Sequence, residues 1–218
     1  LNIYNLPQST IVNRNVPKNA FDEYSNSKQK RMFTDLISKI TWKHKISSET
    51  INLSGIEVQE IQLFEIQLKE KNSIRPLLDI IDKAIPYHII FIIVFENEVR
   101  FRTAKKHLNP LNENNAVIDW VFETEWANQG DSAYGLELKK NIDSVYYNFC
   151  SEITGEDKKF DSIAEMISYQ SEIKELETNI ERLKSLIKNA KQFNRKLELN
   201  VELNRVEGEL EGVMGRTR

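Results

Sequence analysis

Apolar and polar positions alternate with one period in the first two-thirds of the chain and with another in the last third. Residues 58–95 read VQEIQLFEIQLKEKNSIRPLLDIIDKAIPYHIIFIIVF. Residues 58–68 are apolar on both parities, with Ile61 and Leu63 on one and Phe64, Ile66 and Leu68 on the other. Residues 89–95 contain no polar side chain. Strands that are apolar on both faces lie inside a sheet covered on both sides. Between the two runs, Leu77, Leu78, Ile81, Ala84 and Ile85 recur at helical spacing, and Pro86 ends the helix. A strand–helix–strand unit is therefore predicted as the core.

The flanking segments are read by the same periods. Residues 1–18, with Pro7, Pro17 and several Asn, read as an irregular arm, and 19–24 as a short helical turn. Residues 27–39 read as a helix whose apolar face is Met32, Phe33, Leu36, Ile37 and Ile40. Ile40, Trp42, His44 and Ile46 then alternate with polar residues, which indicates a half-exposed strand. After Phe95 come a turn at 96–98, a return strand at 99–103, a polar loop at 104–115 with Asn109–Pro110 turn chemistry, and a strand at 116–126. A Gly-containing loop covers 128–134. A helix follows at 141–153, with Ile142, Val145, Tyr146, Phe149 and Ile153 on one face. The expected body, residues 1–156, is α+β or α/β, with a mixed central sheet of about five strands and flanking helices.

Residues 157–218 form a helical tail of different character, with no Pro and no Gly before Gly208 from 162 onward. One seam runs Ile173, Leu176, Ile180, Leu183, Ile187, Ala190, Asn194, Leu197, Val201 in alternating steps of three and four, a heptad repeat that predicts a coiled coil. β-branched residues at the first core position with Leu at the second favour a parallel two-stranded coil, and Asn194 would fix its register. Leu186 and Phe193 widen the stripe. A second seam of Leu199, Leu203, Val206, Leu210 and Val213 follows in a shifted phase. Two arrangements satisfy this pattern, a hairpin within one chain or helix pairing between chains. The absence of Gly and Pro from 171–204 favours pairing between chains.

Composition narrows the function classes. Hydrophobic residues are 40% and charged residues 29%, with a net charge of −3, which argues against bulk nucleic-acid binding. A single cysteine, Cys150, excludes an intrachain disulfide framework and suits a reducing compartment, so a cytoplasmic location is expected. The apolar run 89–95 is too short to span a bilayer, so no membrane partner is expected. Within the tail, Arg182, Lys184, Lys188, Lys191, Arg195 and Lys196 follow one another with no acid between them. Glu172, Glu175, Glu177 and Glu181 precede this collar, and Glu198, Glu202, Glu207, Glu209 and Glu211 follow it. Such a collar is a candidate site for a phosphate backbone or an acidic partner, although a charge run is most often a solvated helix face.

A catalytic reading centres on Glu65, Gln67 and Lys69, which share one parity at the end of the central strand. A carboxylate placed two residues before a Lys is the arrangement of PD-(D/E)xK nucleases, in which acids hold Mg²⁺ and the Lys orients the attacking water. Gln67 stands where an acid is required, and no Asp ends the preceding strand; Glu49, Glu57 and Glu60 are poor substitutes. The bland alternative is a solvated strand end. His44, His88 and His107 are scattered, with no metal-ligand spacing. Cys150 reads as core rather than nucleophile. None of the seven Gly forms a phosphate loop. Trp120 and Trp126 read as core. No cofactor is expected, with Mg the exception under the nuclease reading.

The segments EIQLFEIQLKEK, IDKAIPYHIIF and KQFNRKLELNVEL, with VPKNAF and ITWKHKIS earlier in the chain, resemble the bacterial and archaeal domain-of-unknown-function family 4391. The resemblance covers nearly the whole chain and assigns no catalytic residue. It implies an accessory role in mobile or antiviral defence islands, beside helicase and DNA-methyltransferase genes. Family members often carry an acid at the position of Gln67, which weakens a nuclease reading for this chain. The leading expectation is a non-enzymatic adaptor whose tail recruits a protein partner or a second copy. A divergent metal-dependent nuclease and a nucleic-acid-binding accessory protein are the alternatives.

Overall fold

The computed structural model describes residues 6–131, 134–155 and 160–215, in two units, Leu1–Glu156 and Asp157–Arg218. The first unit holds a sheet of β1 (Ile11–Asn15), β2 (Ile37–Ser47), β3 (Glu60–Leu68), β4 (His88–Phe95), β5 (Glu98–Asn109), β6 (Asn112–Glu123) and β7 (Ala127–Asn128). Its spatial order is β1-β2-β3-β4-β5-β6, with β7 also paired to β5. The helices of this unit are α1 (Ser27–Leu36), α2 (Ser48–Ile51), α3 (Arg75–Ala84) and α4 (Ile142–Thr154).

The expected strand–helix–strand unit is β3–α3–β4. Because α3 carries the chain back to the starting end, β3 and β4 pair in parallel, while the remaining described pairs are antiparallel. The doubly apolar pattern has the expected consequence. Phe64, Ile66, Phe91 and Ile93 pack with Phe33, Leu36, Leu77, Leu78 and Ile81 of α1 and α3. On the other face, α4 brings Tyr146 to Thr103, 3.1 Å between hydroxyls, and sets Phe149 edge-on to Phe101. Asn141 caps α4 through the Ser144 amide, and Gly155 closes it with φ 66°. Asp143, in the first turn, accepts hydrogen bonds from the amides of Ile56, Glu57 and Val58, which pins the 52–59 loop to the helix. Gly55 is required in that loop, since a Cβ there would lie 1.9 Å from Val58 O.

The structure corrects the sequence reading in four places. The sheet has seven strands rather than about five. The irregular arm contains β1, an edge strand so polar (IVNRN) that it carries no alternation to read. The first helix ends at Leu36, and Ile37 enters β2 at once. The Leu36 carbonyl, which Lys39–Ile40 would have left inside the helix, instead accepts from the Lys69 amide at 2.8 Å. Most instructive is 104–115, expected as a loop. It is the outer half of a long β5–β6 hairpin turning at Pro110–Leu111. Polar Lys105, Lys106 and His107 belong to the strand because each has a partner: Glu57, Asp82 and Asp119 respectively.

The second unit contains α5 (Ile163–Asn189) and α6 (Phe193–Gly215). The connection is only Ala190–Lys191–Gln192, so the helices lie antiparallel. Ile180 and Leu183 of α5 pack against Leu199, Leu203 and Val206 of α6, with Leu176, Ile187, Ala190 and Leu210 at the margins. The chain thus breaks its helix without Gly or Pro. Ala190 leaves the helical region at ψ 128°. The heptad seam does not run on through Asn194, Leu197 and Val201; the second, phase-shifted seam supplies the partner surface.

Candidate functional site

Glu65 and Gln67 lie on β3, on the same face. Gln67 Nε2 donates to Glu65 Oε1 at 3.2 Å, and Lys43 Nζ is 3.8 Å from Glu65 Oε2. Lys69 does not join them. It follows the end of β3, and its ammonium donates to the Thr34 carbonyl of α1 at 2.8 Å. That carbonyl belongs to the last turn of a helix, where backbone acceptors lack intrahelical donors and a cation is favoured. The three residues of the catalytic reading are therefore split between a side-chain pair and a helix terminus. Among the described residues, no group of three or more His, Cys, Asp or Glu is placed to hold a metal ion.

The basic collar is brought together differently from the way a straight helix would display it. Arg182, Lys184 and Lys188 lie in the last part of α5, Lys191 in the connection, and Arg195 and Lys196 at the start of α6, so all six gather toward the hairpin turn. Lys184 pairs with Glu207 at 2.9 Å, Arg195 with Glu198 at 2.9 Å, and Arg182 donates to Asn179. Lys188, Lys191 and Lys196 have no ion pair among the described residues. The acidic arms begin beside the collar, where Glu198 and Glu207 already pair with it, and run on toward the open end. Glu202 and Glu209 there flank Arg205, whose guanidinium holds Glu202 below the usual carboxylate range.

Of the expected association residues, Ile180 and Leu183 are buried, and Leu176 and Ile187 pack beside them within the hairpin. Phe193, Leu197 and Val201 are not buried. They are 78%, 57% and 65% exposed and recur at four-residue steps along one face of α6. Leu186 on α5 is also exposed. Asn194 is exposed, so it holds no core position in this arrangement. The hairpin presents an apolar stripe beside a cationic turn.

The body holds a charged set around Asp82 that the sequence did not single out. Arg102 of β5 is buried between Asp79 and Asp82 of α3, 3.1 Å from the latter, with its guanidinium over the Phe91 ring. Lys106, wholly buried, donates to Asp82 Oδ1 at 3.2 Å and to the Asp82 and Ile85 carbonyls at 2.8 Å each. Burial pushes Asp82 up and Lys106 down from their ordinary ranges. With three acceptors around its ammonium, Lys106 has the bonding of a structural cation. The sequence signal was Asp79 and Asp82 one turn apart opposite alternating Arg102 and Lys106. His88 is buried edge-on to Tyr146, and desolvation lowers it to about 3. Burial pushes the Cys150 thiol far up, as for a core residue rather than a nucleophile.

Residues 4–210 match the family described as Domain of unknown function (DUF4391). No curated protein matches the chain. No solved structure matches it either. No described helix is long and apolar enough to cross a membrane.

Proposed function

This chain belongs to the family described as Domain of unknown function (DUF4391), and from that premise we propose that it is a non-catalytic adaptor subunit which binds a protein partner through its helical hairpin. The observation that carries this reading is the stripe Phe193, Leu197 and Val201, three large apolar side chains left in solvent on one face of α6. Scattered exposed apolar residues are ordinary, but three at i, i+4, i+8 on a helix match the anchors by which helices enter apolar grooves. The cations at the turn define the rest of the partner: an apolar groove rimmed by Asp and Glu. Electrostatic complementarity of this kind sets orientation and association rate. An assembly of the mobile-element or defence type suits such a subunit, on the strength of the family resemblance alone.

The test is co-purification from the native host with full-length chain and with Leu197→Asp, followed by reconstitution from purified components. The adaptor reading expects a stoichiometric complex that Leu197→Asp weakens at least tenfold, with the fold unchanged by circular dichroism. A second reading, nucleic-acid binding, is favoured by the three lysines without ion pairs at the turn. It expects salt-dependent DNA binding that Lys188→Ala and Lys191→Ala weaken and Leu197→Asp does not. Purified chain with Mg²⁺ or Mn²⁺ and plasmid DNA tests the nuclease reading directly.

A further inference from the structure

We propose that the body binds a phosphate monoester in a cavity at the carboxyl ends of its two parallel strands. The proposal is independent of the hairpin. Where a sheet contains parallel strands, ligands favour the crevice beyond their carboxyl ends, because the helix that follows begins there. Here β3 and β4 end at Leu68 and Phe95, and a cavity of about 230 Å³ opens beside Ile93, the 71–74 loop and the start of α3. Such a volume lies below the usual range of roughly 300–1,000 Å³ for drug-sized ligands, so it suits a single phosphate on a small body.

The lining chemistry selects the anion. Lys71, Arg75 and Arg100 come from three separate elements, the loop after β3, α3 and β5, and they line the same cavity. Two carboxylates stand against them. Glu98 pairs with Lys71 at 2.7 Å, and Glu123 takes both Arg75 and Arg100, the latter at 3.0 Å. One positive charge is left over. Arg100 is held in place, its Nε donating to the Thr124 carbonyl at 2.7 Å and one terminal nitrogen reaching Glu123. Among the described residues Arg75 has Glu123 as its one ion-pair partner, and its side chain is 61% exposed. An exposed ion pair is worth little, so its guanidinium exchanges one anion for another at small cost. Two guanidinium forks turned toward one carboxylate also match the geometry of a phosphate. Glu123 thus occupies the place of the ligand's charge. Trp126 completes the wall with a flat face, and the Lys71 ammonium lies 5.2 Å from its ring centroid. The apolar floor of Ile74, Leu78 and Ile93 would take the body of the ester.

The experiment is titration of the full-length chain with inorganic phosphate, and with a 5′-phosphorylated and a 5′-hydroxyl dinucleotide, followed by calorimetry and Trp fluorescence. Trp126→Phe locates the fluorescence signal. Saturable binding of phosphate and of the 5′-phosphorylated probe, but not of the 5′-hydroxyl probe, is expected. A phosphorylated probe that binds at least tenfold tighter than free phosphate identifies a nucleotide end as the source, and equal affinity identifies the free anion. Arg75→Gln should weaken binding at least fivefold, and Glu123→Gln, which removes the internal competitor, should strengthen it. Both substitutions are at partly exposed side chains, and an unchanged melting curve shows that each variant is folded. No saturable binding by the wild-type chain overturns the proposal. So does binding that ignores both substitutions, or a fluorescence change that survives Trp126→Phe.

Discussion

The body and the hairpin dispose of their apolar residues in opposite ways. In the body, β3 and β4 are covered on both faces, and Ile61, Leu63, Ile66, Ile90 and Phe91 are at most 0% exposed. In the hairpin, two helices meet along one stripe each, so the widened part of the apolar pattern has nowhere to go. A sheet between helix layers has two faces and two covers, whereas a helix pair has one shared face. The same excess of apolar residues therefore becomes core in one region and surface in the other. Polar groups divide in the complementary sense. The body buries Arg102, Lys106 and Asp82 together, with Asp79 at the margin of the set, and the hairpin exposes Lys188, Lys191 and Lys196.

The largest effect is expected where a buried charge loses its partner. Asp82→Ala leaves Arg102 and Lys106 facing each other in the core. A loss of about 3–5 kcal/mol is expected for removing one member of a buried ionic set, read from denaturant unfolding of the body. A loss below about 1 kcal/mol would place the set in contact with water.

Leu203→Ala is the corresponding change in the hairpin. A buried Leu→Ala costs about 2–5 kcal/mol, and the loss should fall on tail helicity, followed by circular dichroism of full-length chain. A change confined to the body's transition would contradict the packing of Leu203 against Ile180 and Leu183.

A smaller effect separates the regions by pH. His88 is held neutral by burial, at about 3 against an ordinary 6.5. The unfolded chain therefore binds a proton that the folded chain refuses between those values, so this contribution to stability is full above 6.5 and is lost as pH falls toward 3. The limiting slope is about 1.4 kcal/mol per pH unit. His88→Phe should flatten the body's stability profile over pH 4–6.5 and leave the hairpin unchanged. Wild-type and variant profiles of equal slope would mean that His88 reaches solvent.

Least of all is expected from Leu197→Ser. Its side chain already lies in water, so stability should shift by less than about 0.5 kcal/mol. The same substitution should nonetheless weaken partner binding. A large loss of stability would show that Leu197 is packed, and the stripe would no longer be a free surface.

Legibility in the sequence followed the same divide. The runs at 58–68 and 89–95 and the helix ended by Pro86 announce β3, α3 and β4, because burial on both faces puts apolar residues on both parities. β1 and the outer half of the β5–β6 hairpin were not legible, since an edge strand and a strand bearing Lys105, Lys106 and His107 carry loop-like composition. β1 is held by its pairing with β2, and the outer half of β5 by pairs of Lys105 and Lys106 with Glu57 and Asp82, far off in sequence, and of His107 with Asp119 on β6. The tail's seams were legible, and their division was not. Ala190–Gln192 consists of good helix formers, so only the phase shift from Ile187 to Leu199 marked the turn. The cavity at Lys71, Arg75, Arg100 and Trp126 was invisible because its residues come from three separated stretches, 71–78, 93–100 and 123–126, and no motif joins them.

Partner binding at Phe193, Leu197 and Val201 requires that the hairpin close within one chain. Spin labels at Lys184→Cys and Glu207→Cys, positions joined by an ion pair of 2.9 Å, test this in full-length chain diluted with excess unlabelled chain. Packed helices lie about 8–10 Å apart, so a sharp distance of roughly 20 Å or less should persist at every dilution. Loss of the short distance on dilution, with its return in fully labelled samples, would show that the helices pair between chains and would contradict the account.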